Sequence, residues 1–537
     1  MKYFRNLVIF SLILLMFWGC GKSRKWVKDI SPDEIEAHIR FLSDDLLEGR
    51  LVGSKGLAIA ALYQENFFRG LGLDPAFGNE YRQPFDLKGT MPDKNASLEV
   101  FSENTNLQFN ISKDFVLGSE REDCPYGVEG ELVYCGYLIQ APERNWNDIK
   151  NIDLKGKVLL VEVNEPGNYP GGIFDGEDMT YYGRWTYKFE KASQLGATGI
   201  LIIHNTKGAA YGWEVVQNSW AGESFFLPDK ENNLFFHGWI HGDAAEKILN
   251  AAGLDRIALA AQAEKEDFKP VPLGLSVRVR QKSEFYSVST VNISAILKGK
   301  NKKVRDQYVI LSAHYDHLGR DPQKEGDQIY NGAVDNCSAS ASMLSLARYY
   351  SQCPEALRVN LVFVAVTAEE EGLLGSDYFV RHLPFPKSSV LANLNFEMTN
   401  VWGETEDVYS IGGRHSDLGD ICRLAAERID LRYIPERGAN FGFFFRSDQL
   451  SFARAGIPAV WLHEGITSKG EDKAFIQKKR DKYQRYRYHK VADEIEKDWD
   501  LSGTVQITRW AQEIISLLSD GNKLPRFKQS SSFRRED

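Results

Sequence analysis

Cysteine is scarce in this chain, which has only six cysteines among 537 residues and no pair with C-x-x-C spacing. A metal held by thiolates needs such pairs, so that kind of zinc site is excluded. Five cysteines remain when Cys20 is set aside, and an odd number argues against a complete disulfide framework. Cys124 and Cys135 could pair as near neighbours, but the sequence favours free buried thiols.

The chain also lacks an excess of basic charge. It has 65 Lys and Arg against 74 Asp and Glu, giving a net charge of −9 and a pI near 5.7. The basic surface typical of a nucleic-acid-binding protein is therefore not indicated, and we expect no nucleic-acid partner. At 537 residues the chain is too long for one small domain and should contain about two.

The N-terminal apolar run Leu7–Trp18 is too short to cross a bilayer. It follows two basic residues and ends in a small residue, which is the pattern of a secretory signal. Gly19–Cys20 resembles a bacterial lipoprotein cleavage site. Residues 1–20 are therefore predicted to contain a lipoprotein signal, which is cleaved so that Cys20 becomes the lipid-bearing N-terminus. An ordinary signal peptide with an incidental cysteine is the alternative. Either way we expect an exported protein. With a lipid on Cys20 it would be held in the bacterial cell envelope, as an outer-membrane or periplasm-facing lipoprotein, through a tether over residues 21–30.

A β-α-β pattern lies between Tyr308 and Gly375. Two apolar runs rich in β-branched residues, Tyr308–Ser312 and Leu361–Val366, are typical of buried parallel strands. Between them apolar residues recur at helical spacing, which predicts a helical crossover.

Each of these strands leads directly into polar residues: His314 and Asp316 after the first, Glu369 and Glu370 after the second. Ligands of open α/β sheets bind at the carboxyl ends of the strands. We therefore expect an imidazole and several carboxylates to meet at one sheet edge.

Such a cluster indicates a metal site, because crowded carboxylates repel one another unless a cation lies among them. Histidine with carboxylate ligands suits catalytic zinc. Asp335 opens the crossover helix, Glu397 ends another apolar run, and His489 follows a long polar segment. A two-metal set with one shared carboxylate follows, leaving Glu369 free as a base; its members are His314, Asp335, Glu370, Glu397 and His489. His463, at the end of another predicted strand, is an alternative to His489.

Six segments in order resemble the di-zinc aminopeptidase and glutamate-carboxypeptidase-like group, peptidase family M28. They read SAHYDHLG, NGAVDNCSAS, EEEGLLGS, NFEM, SDQLSFARAGIPAV and YHKVADE. The resemblance implies an α/β fold with a mixed, mostly parallel sheet flanked by helices.

The resemblance also implies roles for the residues at these positions. His314 and Glu397 would bind one zinc, and Glu370 and His489 the other. Asp335 would bridge the two zinc ions.

Three further features follow from the same resemblance. Asp316 would orient His314. Glu369 would act as the general base, and the peptide bond after Asp335 would be cis. The chain departs from the family at Glu397, where Asp is more common, and at Gln449, where His is more common.

The segments DLKGKVLLV and KASQLGATGILII resemble a protease-associated domain inserted in many members of this family. This places a β-rich insert over residues 118–270, between catalytic parts at 31–117 and 271–521. Residues 522–537 form a polar, charge-rich tail that we expect to be disordered.

These observations favour a zinc-dependent exopeptidase acting on peptides, most consistent with an aminopeptidase. A carboxypeptidase or dipeptidase of the same family, a glutaminyl-cyclase-like acyltransferase and a non-catalytic binding module are the alternatives. The intact Asp335 and the Glu369–Glu370 pair favour hydrolysis. Tyr488 is a candidate donor to the substrate carbonyl, and the basic segment Lys469–Arg487 is either a solvated surface or a lid that grips a carboxylate. Pattern does not predict the oligomeric state.

Overall fold

The computed structural model of the chain describes residues 29–300, 306–353, 357–520 and 524–534. The predicted signal and Cys20 lie outside these ranges. Within them, no helix combines the length and apolarity needed to cross a membrane. The α-helices are, in chain order, α1 (Pro32–Leu42), α2 (Lys55–Gly70), α3 (Trp185–Gln194), α4 (Thr206–Ala209), α5 (Trp213–Ser219), α6 (Gly242–Ala251), α7 (Arg256–Ala263), α8 (Ala339–Gln352), α9 (Leu374–Arg381), α10 (Leu418–Arg428), α11 (Gln449–Arg454), α12 (Phe475–Tyr486) and α13 (Ser502–Ser519).

The strands form two large sheets and one small ribbon. They are β1 (Asp74–Pro75), β2 (Arg82–Met91), β3 (Ser97–Phe101), β4 (Asn106–Phe109), β5 (Phe115–Gly118), β6 (Gly127–Tyr134), β7 (Gln140–Ala141), β8 (Trp146–Asn147), β9 (Val158–Glu162), β10 (Gly199–Ile203), β11 (Ser224–Phe226), β12 (Phe236–Ile240), β13 (Val271–Arg280), β14 (Glu284–Leu297), β15 (Tyr308–His314), β16 (Asn360–Val366), β17 (Val390–Asn395), β18 (Asp407–Ile411), β19 (Arg432–Tyr433) and β20 (Ala459–Glu464).

The main sheet runs β11-β2-β14-β16-β15-β17-β20-β18-β19, with β1 paired to β14. Its centre is parallel, because β15 pairs in parallel with both β16 and β17, and β17 pairs in parallel with β20. The outer strands β14 and β18 are antiparallel to their central neighbours. The expected mixed sheet flanked by helices is therefore confirmed, and its parallel pairings lie mainly at the centre. Strands β16 and β17 are buried along their whole length, which explains their continuous apolar sequence.

Helices cover the main sheet and supply most of its core. Helix α1 begins after Ser31 with Pro32 in its first turn, as the sequence predicts. In α2 the Ser54 hydroxyl accepts a hydrogen bond from the Leu57 backbone N–H at 3.1 Å and so caps the helix. Trp510, the largest buried side chain of α13, donates its ring N–H to the Cys422 carbonyl oxygen at 2.9 Å.

The second sheet runs β4-β3-β13-β6-β9-β10-β12-β5. Its strands extend from Ser97 to Arg280. The second sheet therefore includes more of the sequence, at both ends, than the predicted insert of 118–270. One strand of the intervening sequence, β11, leaves the second sheet and pairs with β2 of the main sheet. The assignment of the insert to the protease-associated class stays a prediction.

Two smaller expectations have different outcomes. Cys124 and Cys135 are free thiols in the structure, as favoured above. Disorder of the tail is wrong for residues 524–534, because Phe533 is only 5% exposed and belongs to an apolar cluster with Phe444 and Phe445. The tail is also anchored through its backbone, since Phe527 forms an antiparallel bridge with Ser416. The tail has few apolar side chains, but Phe533 belongs to this cluster and Phe527 packs against it.

Candidate active site

The strand order of the main sheet brings the predicted site residues together. Strands β16, β15 and β17 are adjacent, in that order, and parallel. Their carboxyl ends therefore lie side by side. His314 ends β15, the Glu369–Glu370 pair follows β16 and Glu397 follows β17. Asp335 lies in the short helical turn Ala333–Ser338 just before α8.

Asp335 lies between two histidines, one on each side of its carboxylate. Its Oδ1 is 3.3 Å from His314 Nε2, and its Oδ2 is 3.3 Å from His489 Nε2. Beyond the histidines, Glu397 Oε1 is 3.4 Å from His314 Nε2 and Glu370 Oε2 is 3.3 Å from His489 Nε2. The five predicted ligands thus form two sets that share Asp335. The peptide bond between Asp335 and Asn336 is cis, as the resemblance implies.

These distances fit zinc ligands better than direct hydrogen bonds. Zinc binds nitrogen and oxygen at about 2.0–2.1 Å in a tetrahedron, so neighbouring ligand atoms should lie about 3.3 Å apart. Strong charge-assisted hydrogen bonds are shorter, about 2.7–2.9 Å. The separations of 3.3 to 3.4 Å match the zinc geometry in both sets. The donor set therefore fits the metal that its chemistry indicates.

Glu369 lies beside the first set without being as close to its histidine. Its Oε2 is 3.9 Å from His314 Nε2, compared with 3.4 Å for the Glu397 oxygen. Donor atoms of His314, Glu369 and Glu397 all lie within 4.8 Å of one another, as do those of His314, Asp335 and Glu370. Glu369 is thus near enough to reach a group bound at the first set.

Crowding strongly shifts the pKa values of the residues in the cluster. Burial and the nearby carboxylates of Glu397 and Glu370 raise the pKa of Glu369 well above its ordinary value. Although burial opposes protonation of His489, the carboxylates of Glu370 and Asp335 raise its pKa to about 11. The crowded carboxylates therefore need compensating positive charge to be ionised together. Divalent cations would supply the same compensation.

Asp316 organises the loop that carries both glutamates. Its Oδ1 accepts a hydrogen bond from the backbone N–H of Glu369 and its Oδ2 one from Glu370, both at 3.3 Å. Asp316 Oδ1 is 3.8 Å from His314 Nδ1, while the Asp316 carbonyl oxygen lies closer to that nitrogen, at 3.3 Å. The predicted link from Asp316 to His314 is therefore made mainly through the backbone, and the side chain positions the loop.

Sequence reasoning missed the roles of Asp493 and His317. Asp493 accepts backbone hydrogen bonds from Val334 and Asp335, both at 3.1 Å, and a third from the Tyr483 hydroxyl at 3.0 Å. His317 Nδ1 lies 2.7 Å from Glu370 Oε1, the oxygen that faces away from His489. Both residues lie inside segments already matched to the family, YHKVADE and SAHYDHLG, which was the available signal.

Glu397 is held by residues of the SDQ segment and the last parallel strand. The Ser447 hydroxyl donates to Glu397 Oε2 at 2.8 Å, and the Trp461 ring N–H donates to the Glu397 carbonyl oxygen at 3.0 Å. Gln449, where the family more often has His, is buried; its side-chain oxygen accepts a hydrogen bond from Asn395 at 2.9 Å. Gln449 therefore supports strand β17, whose end carries Glu397.

Two further candidates are placed by the structure. His463 stacks on Tyr409 at 4.6 Å and points Nδ1 to the Glu464 carbonyl oxygen at 2.8 Å, which leaves His489 as the histidine beside Asp335. Tyr488 stacks on His489 with ring centroids 3.9 Å apart. Burial and the neighbouring carboxylates raise the pKa of Tyr488 well above its ordinary value, so it faces the cluster as a neutral phenol.

The basic segment forms helix α12 and its flanks, and most of its charges are paired. Arg480, which is partly buried, pairs with Glu464, and Arg487 pairs with Glu496 at 2.6 Å. Four lysines of the segment also have carboxylate partners; they are Lys469, Lys473, Lys478 and Lys479. This pairing favours the surface interpretation over a lid that grips substrate.

The chain belongs to peptidase family M28. The sequence profile described as "Peptidase family M28" matches residues 292–512. The chain is 31% identical over 401 residues to aminopeptidase YwaD of Bacillus subtilis, covering 70% of this chain and 71% of that protein. It is 29% identical over 207 residues to a probable leucine aminopeptidase of Trichophyton verrucosum, covering 38% of this chain and 54% of that one. Among solved structures, an aminopeptidase from Aneurinibacillus sp. strain AM-1 aligns over 95% of this chain and 97% of its own, with 20% identity and a TM-score of 0.49.

Proposed function

We propose that the protein is an aminopeptidase that works with two zinc ions, one in each ligand set around Asp335. The observation that carries this proposal is the position of the Asp335 carboxylate, whose two oxygens each lie 3.3 Å from a different histidine nitrogen. Membership of a peptidase family and the names of the relatives support peptide substrates. The preference for the amino end rests on those relatives.

His314 and Glu397 would hold the first zinc, Glu370 and His489 the second, and Asp335 would contribute one oxygen to each. When bound, zinc polarises a carbonyl oxygen and makes water nucleophilic at neutral pH. Three of the ligands also have a fixed partner in the protein: Ser447 for Glu397, His317 for Glu370 and the Asp316 carbonyl oxygen for His314. Such partners fix ligand orientation.

Glu369 would carry the proton in the reaction. It is nine-tenths buried, with a side chain 10% exposed, and it lies next to the first set without being its nearest carboxylate. Placed there, it can accept a proton from the attacking water and return it to the departing amine. Tyr488, a neutral phenol over His489, would donate a hydrogen bond to the carbonyl oxygen.

The test compares three sets of peptides with the zinc-loaded protein: free at both ends, blocked at the amino end, and blocked at the carboxyl end. An aminopeptidase cleaves the first and third sets and spares the second. Glu369→Gln serves as the inactive control that keeps the ligands. Cleavage of amino-blocked peptides with loss of activity on carboxyl-blocked ones would instead identify a carboxypeptidase.

We also propose that the protein is exported and anchored in the envelope through a lipid on Cys20. The support is the signal-like sequence and the Gly19–Cys20 junction. Cys20→Ser should move the exported protein from the membrane fraction to the soluble fraction. A wild-type protein already wholly soluble outside the cytoplasm would indicate an ordinary signal peptide.

A further inference from the structure

Arg50 is a buried arginine between α1 and α2, only 1% exposed, and the reaction described above makes no use of it. Its guanidinium group donates only to backbone carbonyl oxygens, which belong to Leu42, Tyr315, Asn331 and Gly332. Nε lies 2.8 Å from the Tyr315 oxygen, and the terminal nitrogens lie 2.7 Å from the Asn331 oxygen and 3.4 Å from the Gly332 oxygen. Among the described residues Arg50 has no carboxylate partner, so its role is not that of an ordinary ion pair.

Two of these acceptors belong to loops that carry proposed metal ligands. Tyr315 directly follows His314, the ligand that ends β15. Gly332 lies three residues before Asp335, the ligand shared by the two sets, at the start of the turn that presents it. Arg50 therefore bonds at once to the loop after β15 and to the segment that leads into Asp335.

The backbone of Arg50 is linked to the second ligand set as well. Its carbonyl oxygen accepts a hydrogen bond from the His317 backbone N–H at 3.2 Å. The ring of His317 in turn places Nδ1 2.7 Å from Glu370 Oε1. One residue thus separates Arg50 from Glu370, in addition to its bonds to the loops of His314 and Asp335.

The preceding residue, Gly49, shows how closely this segment fits against the same loops. Its carbonyl oxygen accepts a hydrogen bond from the Gly319 N–H at 2.9 Å. A Cβ at position 49 would lie 2.1 Å from the Gly319 carbonyl oxygen and 2.7 Å from that of Tyr330, and the residue has a φ of +69°. Any side chain at position 49 would therefore push Arg50 away from the loops that it contacts.

The arrangement uses a property that only arginine has. A guanidinium group carries five N–H donors in a rigid planar fork, whereas lysine carries three donors on a single nitrogen. All three nitrogens of Arg50 are engaged, each with a different set of acceptors. A lysine at this position would leave part of the acceptor set without a donor.

We propose that Arg50 is a positioning residue for the metal centre, which holds the loop after β15 in a fixed place relative to the turn that presents Asp335. This inference rests on the proposed two-zinc function. The proposed ligands come from separate segments of the chain, so the distances between them depend on how these segments are held together. Residues that support ligands in this way typically contribute about 10–100-fold in metal affinity or activity.

The experiment compares Arg50→Lys with Arg348→Lys. Arg348 also ties the N-terminal segment to the catalytic domain, but through Glu34 of α1 and the Asp29 carbonyl oxygen, each at 2.7 Å. Its replacement therefore controls for a general loss of anchoring. Zn²⁺ affinity is measured by competition with a chromogenic chelator, and the absorption spectrum of the Co²⁺-loaded protein reports the geometry of the ligands.

Arg50→Lys should bind Zn²⁺ about 10–100-fold more weakly than the wild type and should show a changed Co²⁺ spectrum. Arg348→Lys should keep its Zn²⁺ affinity within about twofold and keep the wild-type spectrum, even if both variants unfold at a lower temperature. Gly49→Ala is a second variant for the case in which Arg50→Lys does not fold. It retains the guanidinium but displaces it, so it should change the spectrum as well.

Three results would overturn the inference while the proposed function stands. The first is a wild-type Zn²⁺ affinity and Co²⁺ spectrum in both Arg50→Lys and Gly49→Ala. The second is an equal change in Arg348→Lys, which would make stability the cause. The third is failure of both variants to fold, which would assign this segment a purely structural role. If the wild-type protein binds neither Zn²⁺ nor Co²⁺, the proposed function fails, and the inference fails with it.

Discussion

The carboxylate of Asp493 accepts a hydrogen bond from the backbone N–H of Asp335 at 3.1 Å. A second hydrogen bond, from Val334, reaches the other oxygen of the same carboxylate at 3.1 Å. The turn that presents Asp335 to both histidines is thus held by a residue only four positions after His489. One short C-terminal segment therefore supplies a proposed ligand and fixes the shared one.

Asp493→Asn should weaken zinc binding without unfolding the protein. The amide replaces one acceptor oxygen with a donor that faces a backbone N–H, so the turn around Asp335 loses a support. Partners of this kind typically contribute about 10–100-fold in metal affinity. Competition with a chromogenic chelator measures the change, and Asp498→Asn, at an exposed ion pair with Lys479, is the control. Unchanged zinc affinity in Asp493→Asn would assign Asp493 a purely structural role.

Glu369→Gln and Glu370→Gln should separate the base from the ligand. Glu369→Gln should keep its zinc and lose about 10²–10⁴-fold in turnover, because only the proton carrier is removed. Glu370→Gln should lose zinc from the set that contains His489. Metal analysis and steady-state kinetics on both variants distinguish the two outcomes, and identical behaviour of the variants would disprove the division of roles.

Glu436 should make stability fall as the pH rises. Its Oε2 accepts a hydrogen bond from Gly412 N–H at 3.0 Å, Oε1 has no partner among the described residues, and burial raises its pKa from 4.5 to about 7. The native state therefore keeps a proton that the unfolded chain has released. The contribution of Glu436 to stability is full below pH 4.5 and is lost as the pH rises through 7.

Glu436→Gln should remove this dependence. Relative to the wild type, the variant should gain about 1–3 kcal/mol in free energy of unfolding between pH 5 and pH 8. Denaturant unfolding at the two pH values measures the difference. A difference between variant and wild type that stays constant with pH would show that Glu436 is ionised throughout.

Phe533→Ala should loosen the seam between the two domains. Phe533 packs against Tyr181 of the second-sheet domain with ring centroids 5.8 Å apart, and against Phe444 of the catalytic domain at 5.5 Å. Truncation of a buried Phe to Ala costs about 3–5 kcal/mol. Thermal unfolding and proteolysis of the tail should both report the change, with Phe441→Ala, at an exposed ring, as the control. Equal stability of wild type and Phe533→Ala would instead indicate that the tail is disordered, as the sequence predicts.

The catalytic half of the fold is largely predictable from the sequence. Strands such as β16 are buried on both faces, so their apolar runs are continuous and their ends are sharp. The polar residues that follow, including His314 and Glu369, are then fixed at one sheet edge by the parallel order. Matching His489 to that edge needed the resemblance to the family, since a long polar segment separates it from the strands.

The rest depends on contacts between distant segments. Strand β3 pairs with β13 although all of the other strands of the second sheet lie between them in the sequence. The short strands at the borders of this sheet carry little pattern of their own. From the sequence, Lys469–Arg487 resembles a basic patch. In the structure, Glu464 and Glu496 pair with two of its arginines. Asp493 accepts hydrogen bonds from backbone N–H groups, and such contacts cannot be predicted from the spacing of side chains.

The zinc content of the purified protein tests the central claim most directly. The account predicts two zinc ions per wild-type chain and about one in Glu397→Ala, which removes a ligand of the first set only. Asp335→Ala should lose both, because each set depends on one of its oxygens. Elemental analysis after dialysis, with activity measured on the same samples, gives the answer. A fully active wild-type protein that holds one zinc, or none after exhaustive chelation, would contradict the account.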